Sequence, residues 1–207
     1  MEACVIRRAT ADDERGAFYV CLKTGDHGSD GEPLYRDDPD ALGRVFVGPY
    51  LAFEPELSLV LEDDAGICGY ALGALDSRAF YGRYEARWRP ALCARYADPA
   101  GDSGEWTPVQ HVHHTYHHPD YFCPEPYDEY PSHLHIDLLP RAQRRGYGRR
   151  LLEQNMSTLR RLGSPGVHLG VSERNVRARR FYEHLGFREL TRNGSGDAAC
   201  IYMGLRL

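Results

Sequence analysis

Residues 132 to 152, SHLHIDLLPRAQRRGYGRRLL, hold side chains whose types and spacing could do chemistry. His133, His135 and Asp137 alternate with Leu134, Ile136 and Leu138, so an extended strand puts the three polar groups on one face. Pro140 turns the chain, and Gln143, Gly146 and Gly148 follow in a Gln-x-x-Gly-x-Gly pattern that opens a helix. Five of the ten residues from Arg141 to Arg150 are arginine. A strand feeding a glycine-containing turn at a helix start presents free backbone N–H groups and the positive end of the helix dipole. That is an anion site, and the chemistry it predicts is the binding of a phosphorylated cofactor. Two common phosphate loops are excluded. No Gly-x-x-x-x-Gly-Lys-Ser/Thr string occurs, and Gly146-x-Gly148 is followed by Arg149, Arg150 and Leu151 rather than by a third glycine.

A second segment lies downstream. In the run from Asn175 to Phe187, Ala178, Phe181, Tyr182 and Leu185 fall at helical spacing and give one apolar face. Gly186 ends that helix and Phe187 starts a strand, as a glycine just past a helix end commonly does. The two segments, in this order and at this distance, resemble the two motifs of the GNAT superfamily of acetyltransferases. The long aromatic insert before them, HIDLLPRAQRRGYGRRLL and ERNVRARRFYEHLGF resemble one branch in particular, the acetyltransferase-like C-terminal domain of O-GlcNAcase and its free-standing bacterial relatives.

The resemblance implies an α/β fold of three layers: a mixed, mostly antiparallel sheet flanked by helices, with its fourth and fifth strands splayed apart and a long insert before the fourth. It implies acetyl-CoA as cosubstrate and transfer of an acetyl group to a primary amine by direct attack on the thioester. The backbone of Gln143, Arg144, Arg145, Gly146, Tyr147, Gly148 and Arg149 would hold the pyrophosphate. Leu138 and Leu139 would pair with the pantetheine amides, and Asn175 and Arg179 complete the expected cofactor-binding set. Tyr182 occupies the family's general-acid position and would protonate the departing thiolate. Asp137, nearest the loop on the polar face, would take the amine proton or anchor the amine, with His135 as second choice. A catalytically silent acyl-CoA-binding or protein-interaction module is the alternative that the same residues leave open.

The elements that must position these groups follow from patterning. ACVIRRA (3–9) reads as a strand. Thr10 is a plausible N-cap for a helix through about Lys23, and 39–47 reads as a second helix. LSLVLED (57–63) and ICGYALGALD (67–76) form a hairpin. Residues 77–131 form the insert: helical turns first, then an irregular run, QHVHHTYHHPDYFCPEPYDEYP, that could cover the acceptor side. GVHLGVS (166–172) is a strand, and the chain ends in a hairpin turning at NGSGD. Within the insert, His113 and His117 share the i, i+4 spacing of metal-binding helices, as do His114 and His118. No Glu completes a His-Glu-x-x-His motif, so a lid function is preferred and no metal is expected. Asp120, Glu125, Asp128 and Glu129 could attract a cationic amine.

Bulk properties bound the rest. A chain of 207 residues is most simply one domain, residues 1–207, with the insert inside it. The net charge of −5 argues against general nucleic-acid binding. There is no apolar run long enough to span a membrane and no secretion-signal pattern at MEACVIRRA. Six scattered cysteines without a Cys-x-x-Cys pair suit reduced thiols in a cytoplasm. The expected partner is a small-molecule or peptide amine.

Overall fold

Seven strands hydrogen-bond into one sheet in the order β1-β2-β3-β4-β5-β7-β6. They are β1 (Val5–Arg8), β2 (Ser58–Asp63), β3 (Gly66–Ala74), β4 (Ser132–Leu138), β5 (Gly166–Ser172), β6 (Arg188–Asn193) and β7 (Cys200–Arg206). The computed structural model describes residues 4–194 and 199–207. Residues 195–197 of the expected NGSGD turn, Ala198 after it and the first three residues of the chain lie outside that range. Neighbouring strands run antiparallel except β4 and β5, which are parallel. The sheet is therefore mixed and mostly antiparallel, as expected.

The β4–β5 pairing is short. It joins Ser132 to Val167 and His133 to His168 and stops there, so both strands continue with open edges. Side chains clamp the closed end. Ser132 Oγ lies 2.7 Å from Ser164 Oγ, which donates to the Gly166 carbonyl at 2.9 Å. A Cβ on Gly166 would sit 2.1 Å from the Glu129 carbonyl oxygen, so the backbones meet there at a distance only glycine allows.

The helices pack on both faces. α1 (Glu14–Lys23), α2 (Ala41–Phe46) and α3 (Gly48–Phe53) bury Ala17, Val20, Leu42 and Tyr50 with Tyr70 and Leu72 of β3. β3 is buried throughout its second half, which is why it reads as a continuous apolar run rather than an alternating one. On the opposite face α7 (Tyr147–Arg161) lays Leu152, Met156 and Leu159 against Leu134, Val167 and Leu169, and α8 (Val176–His184) adds Tyr182. Asn155 Nδ2 on α7 donates to the Leu57 carbonyl at 2.8 Å and ties the helix to the sheet.

One helix is additional to those expected, and one expectation needs correction. The helix expected over 39–47 is α2, and the additional α3 follows after a break at Val47, because Pro49 is in the first turn of α3 and cannot continue the hydrogen-bond ladder of α2. The insert is not irregular through its histidines. α4 (Ser77–Arg83), a π-helical turn (Tyr84–Trp88) and α5 (Arg89–Arg95) are followed by α6 (Pro108–His117). Thr107 caps α6, accepting from the Gln110 N–H at 3.2 Å while Gln110 Oε1 accepts from the Thr107 N–H at 2.8 Å. Val112 and Tyr116 give α6 its buried face.

Candidate active site

The parting of β4 from β5 makes two cavities that meet. Leu139 N–H is taken by the Cys68 carbonyl at 2.8 Å, so alternation turns the amides of Leu134, Ile136 and Leu138 toward β5; the His133–His168 pairing engages the first, and those of Ile136 and Leu138 face the open edge. A cleft of about 580 Å³ runs along that edge to the loop before α7. A second cavity of about 340 Å³ lies on the insert side. Leu134, His135 and Gly170 line both.

The loop is built to leave its amides free. Gln143 Nε2 donates to the Leu138 carbonyl at 2.7 Å, and its Oε1 accepts from Arg177 at 2.6 Å. Arg144 at φ +58° and Gly146 at φ +79° turn the chain through left-handed conformations into α7. Among the described residues, the backbone N–H groups from Arg144 to Arg149 donate to no other protein group. They open on the cleft at the positive end of a helix of 15 residues, an arrangement suited to a pyrophosphate. A Cβ on Gly148 would come within 3.3 Å of the Phe181 ring, so a larger side chain there would intrude on the cleft wall.

The arginine cluster divides. Arg144 and Arg149 line the cleft. Arg141 turns away to Asp63 at 2.7 Å. Arg145 and Arg150 lie over the Tyr147 ring, 5.4 and 5.6 Å from its centroid. Of the residues expected to bind cofactor, Leu138, Gln143, Arg144, Gly146, Gly148, Arg149 and Asn175 line the cleft. Four do not. Leu139 is buried and its amide belongs to the sheet. Tyr147 is buried, its hydroxyl accepting from the Cys4 N–H at 3.0 Å. Arg145 stacks on that same ring. Arg179 is held by Glu183 at 3.0 Å, with Glu189 at 3.9 Å. Asn175 caps α8 by accepting from the Ala178 N–H at 3.1 Å.

The polar face of β4 separates into three environments. His133 is buried, with Tyr50 Oη 2.7 Å from Nε2 and Ser77 Oγ 2.7 Å from Nδ1, so it braces the insert. His135 lies where the cavities meet, and burial, with His168 nearby, lowers its pKa to about 4, leaving a neutral imidazole. Asp137 lines the cleft and accepts from the Tyr70 hydroxyl at 2.6 Å. Burial raises its pKa to about 6, against the opposing pull of the Tyr70 and Thr24 hydroxyls. Tyr182 faces the same cleft from α8, and burial together with the nearby Asp137 charge pushes its phenol up, so it stays protonated.

Sequence patterning missed one wall. Thr24, His27 and Gly28 from the loop after α1 close over the start of α8, where Gly28 approaches so closely that a Cβ would meet Asn175 Nδ2 at 2.7 Å. Arg177, missed as well, lines the cleft and fixes Gln143. The composition GDHGSDG reads only as a polar loop, with no local signal for this contact.

The histidines of α6 lie away from both cavities. His113 pairs with Asp38 at 2.9 Å, and His117 faces the Tyr96 carbonyl at 2.8 Å. His114 and His118 share Asp98 at 3.0 and 2.7 Å. Of the insert acids, Asp120 lines the second cavity, while Glu125 and Glu129 pair with Arg78 and Arg206.

The family model "Acetyltransferase (GNAT) family" matches residues 25–187. The chain is 29% identical over 188 residues to protein O-GlcNAcase of Rattus norvegicus, and equally to that of Mus musculus. The match covers 90% of this chain and 20% of the relative, so the chain spans about a fifth of the length of those curated proteins. The crystal structure of SsHAT superposes with a TM-score of 0.88 at 37% identity, covering 99% of this chain and 98% of the other. The structure of yncA from Salmonella typhimurium with its cofactor acetyl-CoA shares the fold, with a TM-score of 0.55 at 16% identity over 99% and 94% of the two chains.

Replacing Tyr147 by Phe separates structure from binding at this loop. It leaves the buried Cys4 N–H without its acceptor and is expected to cost about 1–3 kcal/mol in denaturant unfolding. Acetyl-CoA affinity measured by titration on the folded variant is expected to match that of the parent.

Proposed function

The chain belongs to the GNAT acetyltransferase family, and on that premise we propose that it is an acyltransferase moving an acetyl group from acetyl-CoA to a primary amine. The single observation that carries this reading is the open β4 edge running from a loop of unpaired amides, Arg144–Arg149, to a cleft holding Asp137 and Tyr182.

The residues present fit the cosubstrate. The amides from Arg144 to Arg149 and the Arg144 and Arg149 side chains offer donors and charge for a pyrophosphate. The edge amides of Ile136 and Leu138 offer the ladder partners that an extended pantetheine arm needs, and one of them can polarise the thioester carbonyl. Acetyl-CoA supplies the activated acyl group.

Three side chains divide the proton traffic. His135, neutral and at the junction, accepts a hydrogen bond from the incoming amine. Asp137, ionised above about pH 6, receives the proton that the nitrogen loses as its bond to the acyl carbon forms. Tyr182 gives its proton to sulfur as the carbon–sulfur bond breaks. The products are an amide and free coenzyme A, with the two protons returned through solvent.

Two substitutions test these roles. Tyr182→Phe is expected to lower kcat by about 10²–10⁴-fold with acetyl-CoA affinity little changed; unchanged turnover would remove Tyr182 from the acid role. Asp137→Asn is expected to abolish the limb of the pH–rate profile that rises through about pH 6. Its effect on stability runs the other way. Folding raises this carboxyl's pKa, so the native state holds the proton more tightly and loses stability as pH rises from the unfolded value through about 6. At pH 7.5 the Asn variant should therefore melt no lower than the parent while losing activity. A lower Tm would mean that the carboxylate's work is structural.

A further inference from the structure

Resting on that reading of the splay, we propose that the acceptor is a small primary amine on an apolar body the size of one aromatic ring, bearing no carboxylate, phosphate or sulfate, and that it occupies the second cavity. The cavity, about 340 Å³, meets the cofactor cleft at Leu134, His135 and Gly170, so a ligand within it can present a nitrogen at the junction. A volume near the low end of small-molecule sites suits one ring and a short arm.

The walls define the body. Tyr50, Phe80, Tyr81, Tyr84, Tyr121 and Tyr202 line the cavity. Their rings support one another: Tyr81 stacks between His133, at 5.3 Å and 12°, and Tyr121, at 5.0 Å and 27°. Such faces take a flat apolar group and, at the arm, an ammonium. Two of the wall hydroxyls are already engaged. The Tyr121 hydroxyl donates to Glu85 at 2.6 Å, and the Tyr50 hydroxyl is 2.7 Å from His133 Nε2. The lining is mostly apolar, so an amino sugar would bury hydroxyls with too few partners.

Charge defines what the body lacks. Among the described residues, no lysine or arginine lines this cavity, in contrast to the arginines of the neighbouring cleft. His133, His135 and His168 line it as well, and burial pushes all three toward the neutral form. An acidic group on the acceptor would be buried with no cation to meet it. Among the described lining residues the charged side chain is Asp120, exposed at the rim, where it attracts a cationic amine.

Matched acceptors decide the matter: 2-phenylethylamine, phenylalanine, glucosamine and a lysine-bearing peptide, each with acetyl-CoA and the purified chain, with acetylated product measured by mass spectrometry. The expected kcat/KM for 2-phenylethylamine exceeds that for phenylalanine by on the order of 100-fold, the scale set by an unpaired buried charge, and exceeds those for glucosamine and the peptide as well. Phe46→Arg adds a cation at the cavity wall, where Phe46 is 41% exposed and its ring lies 5.8 Å from that of His135. It is expected to shrink the preference over phenylalanine by about tenfold. Equal or better use of phenylalanine, glucosamine or the peptide would overturn the proposal. So would acetyl-CoA binding with 2-phenylethylamine neither bound in a titration nor acetylated. Failure to bind acetyl-CoA would instead strike the acetyl-transfer reading, and titration of the amine alone would then decide the cavity's specificity.

Discussion

Everything at this site depends on where β4 and β5 stop pairing. Two residue pairs join them, ending at His133 and His168. Continued pairing would close the edge amides of Ile136 and Leu138 into a ladder and remove both cavities. The parting is costly unless something else satisfies those groups, because an open strand edge is a row of unpaired donors and acceptors. The structure meets this cost at the closed end, where Ser132, Ser164 and Gly166 lock the two strands, and it leaves the open end for an extended ligand to complete.

The same parting sorts charge. On one side the loop and Arg144, Arg149 and Arg177 make a cationic cleft of about 580 Å³. On the other, aromatic rings and neutral imidazoles make a cavity with an acid at its rim. His135 sits between them and Asp137 one strand repeat further toward the loop, so both groups are buried where their protonation states suit the proposed transfer. The burial that pushes Asp137 up and His135 down follows from packing helices α1 to α3 on that face of the sheet. The packing that forms the core thus also sets these two protonation states.

Much of this was legible in the chain. The alternation from His133 to Leu138, the Gln143–Gly148 turn and the apolar face of the helix around Tyr182 each carry a local signal, and each lies in the element the pattern implies. What escaped depends on long-range contact. Tyr147 reads as one more residue of a phosphate loop, and only the fold shows its hydroxyl fixing Cys4. Five arginines look alike in sequence, yet Asp63 claims one and the Tyr147 ring two. The histidine run reads as irregular because its partners, Asp38 and Asp98, are distant in sequence from the residues they hold. Thr24, His27 and Gly28 join the cleft through contacts that no periodicity encodes.

The central claim is that the Arg144–Arg149 amides and the open β4 edge form a working acetyl-CoA site. Isothermal titration of the purified chain with acetyl-CoA, beside its Gly148→Leu variant, tests it most directly. Saturable one-to-one binding by the parent is predicted, with loss of affinity in the variant because its side chain enters the cleft at Phe181. No binding by the parent, or equal binding by both folded proteins, would contradict it.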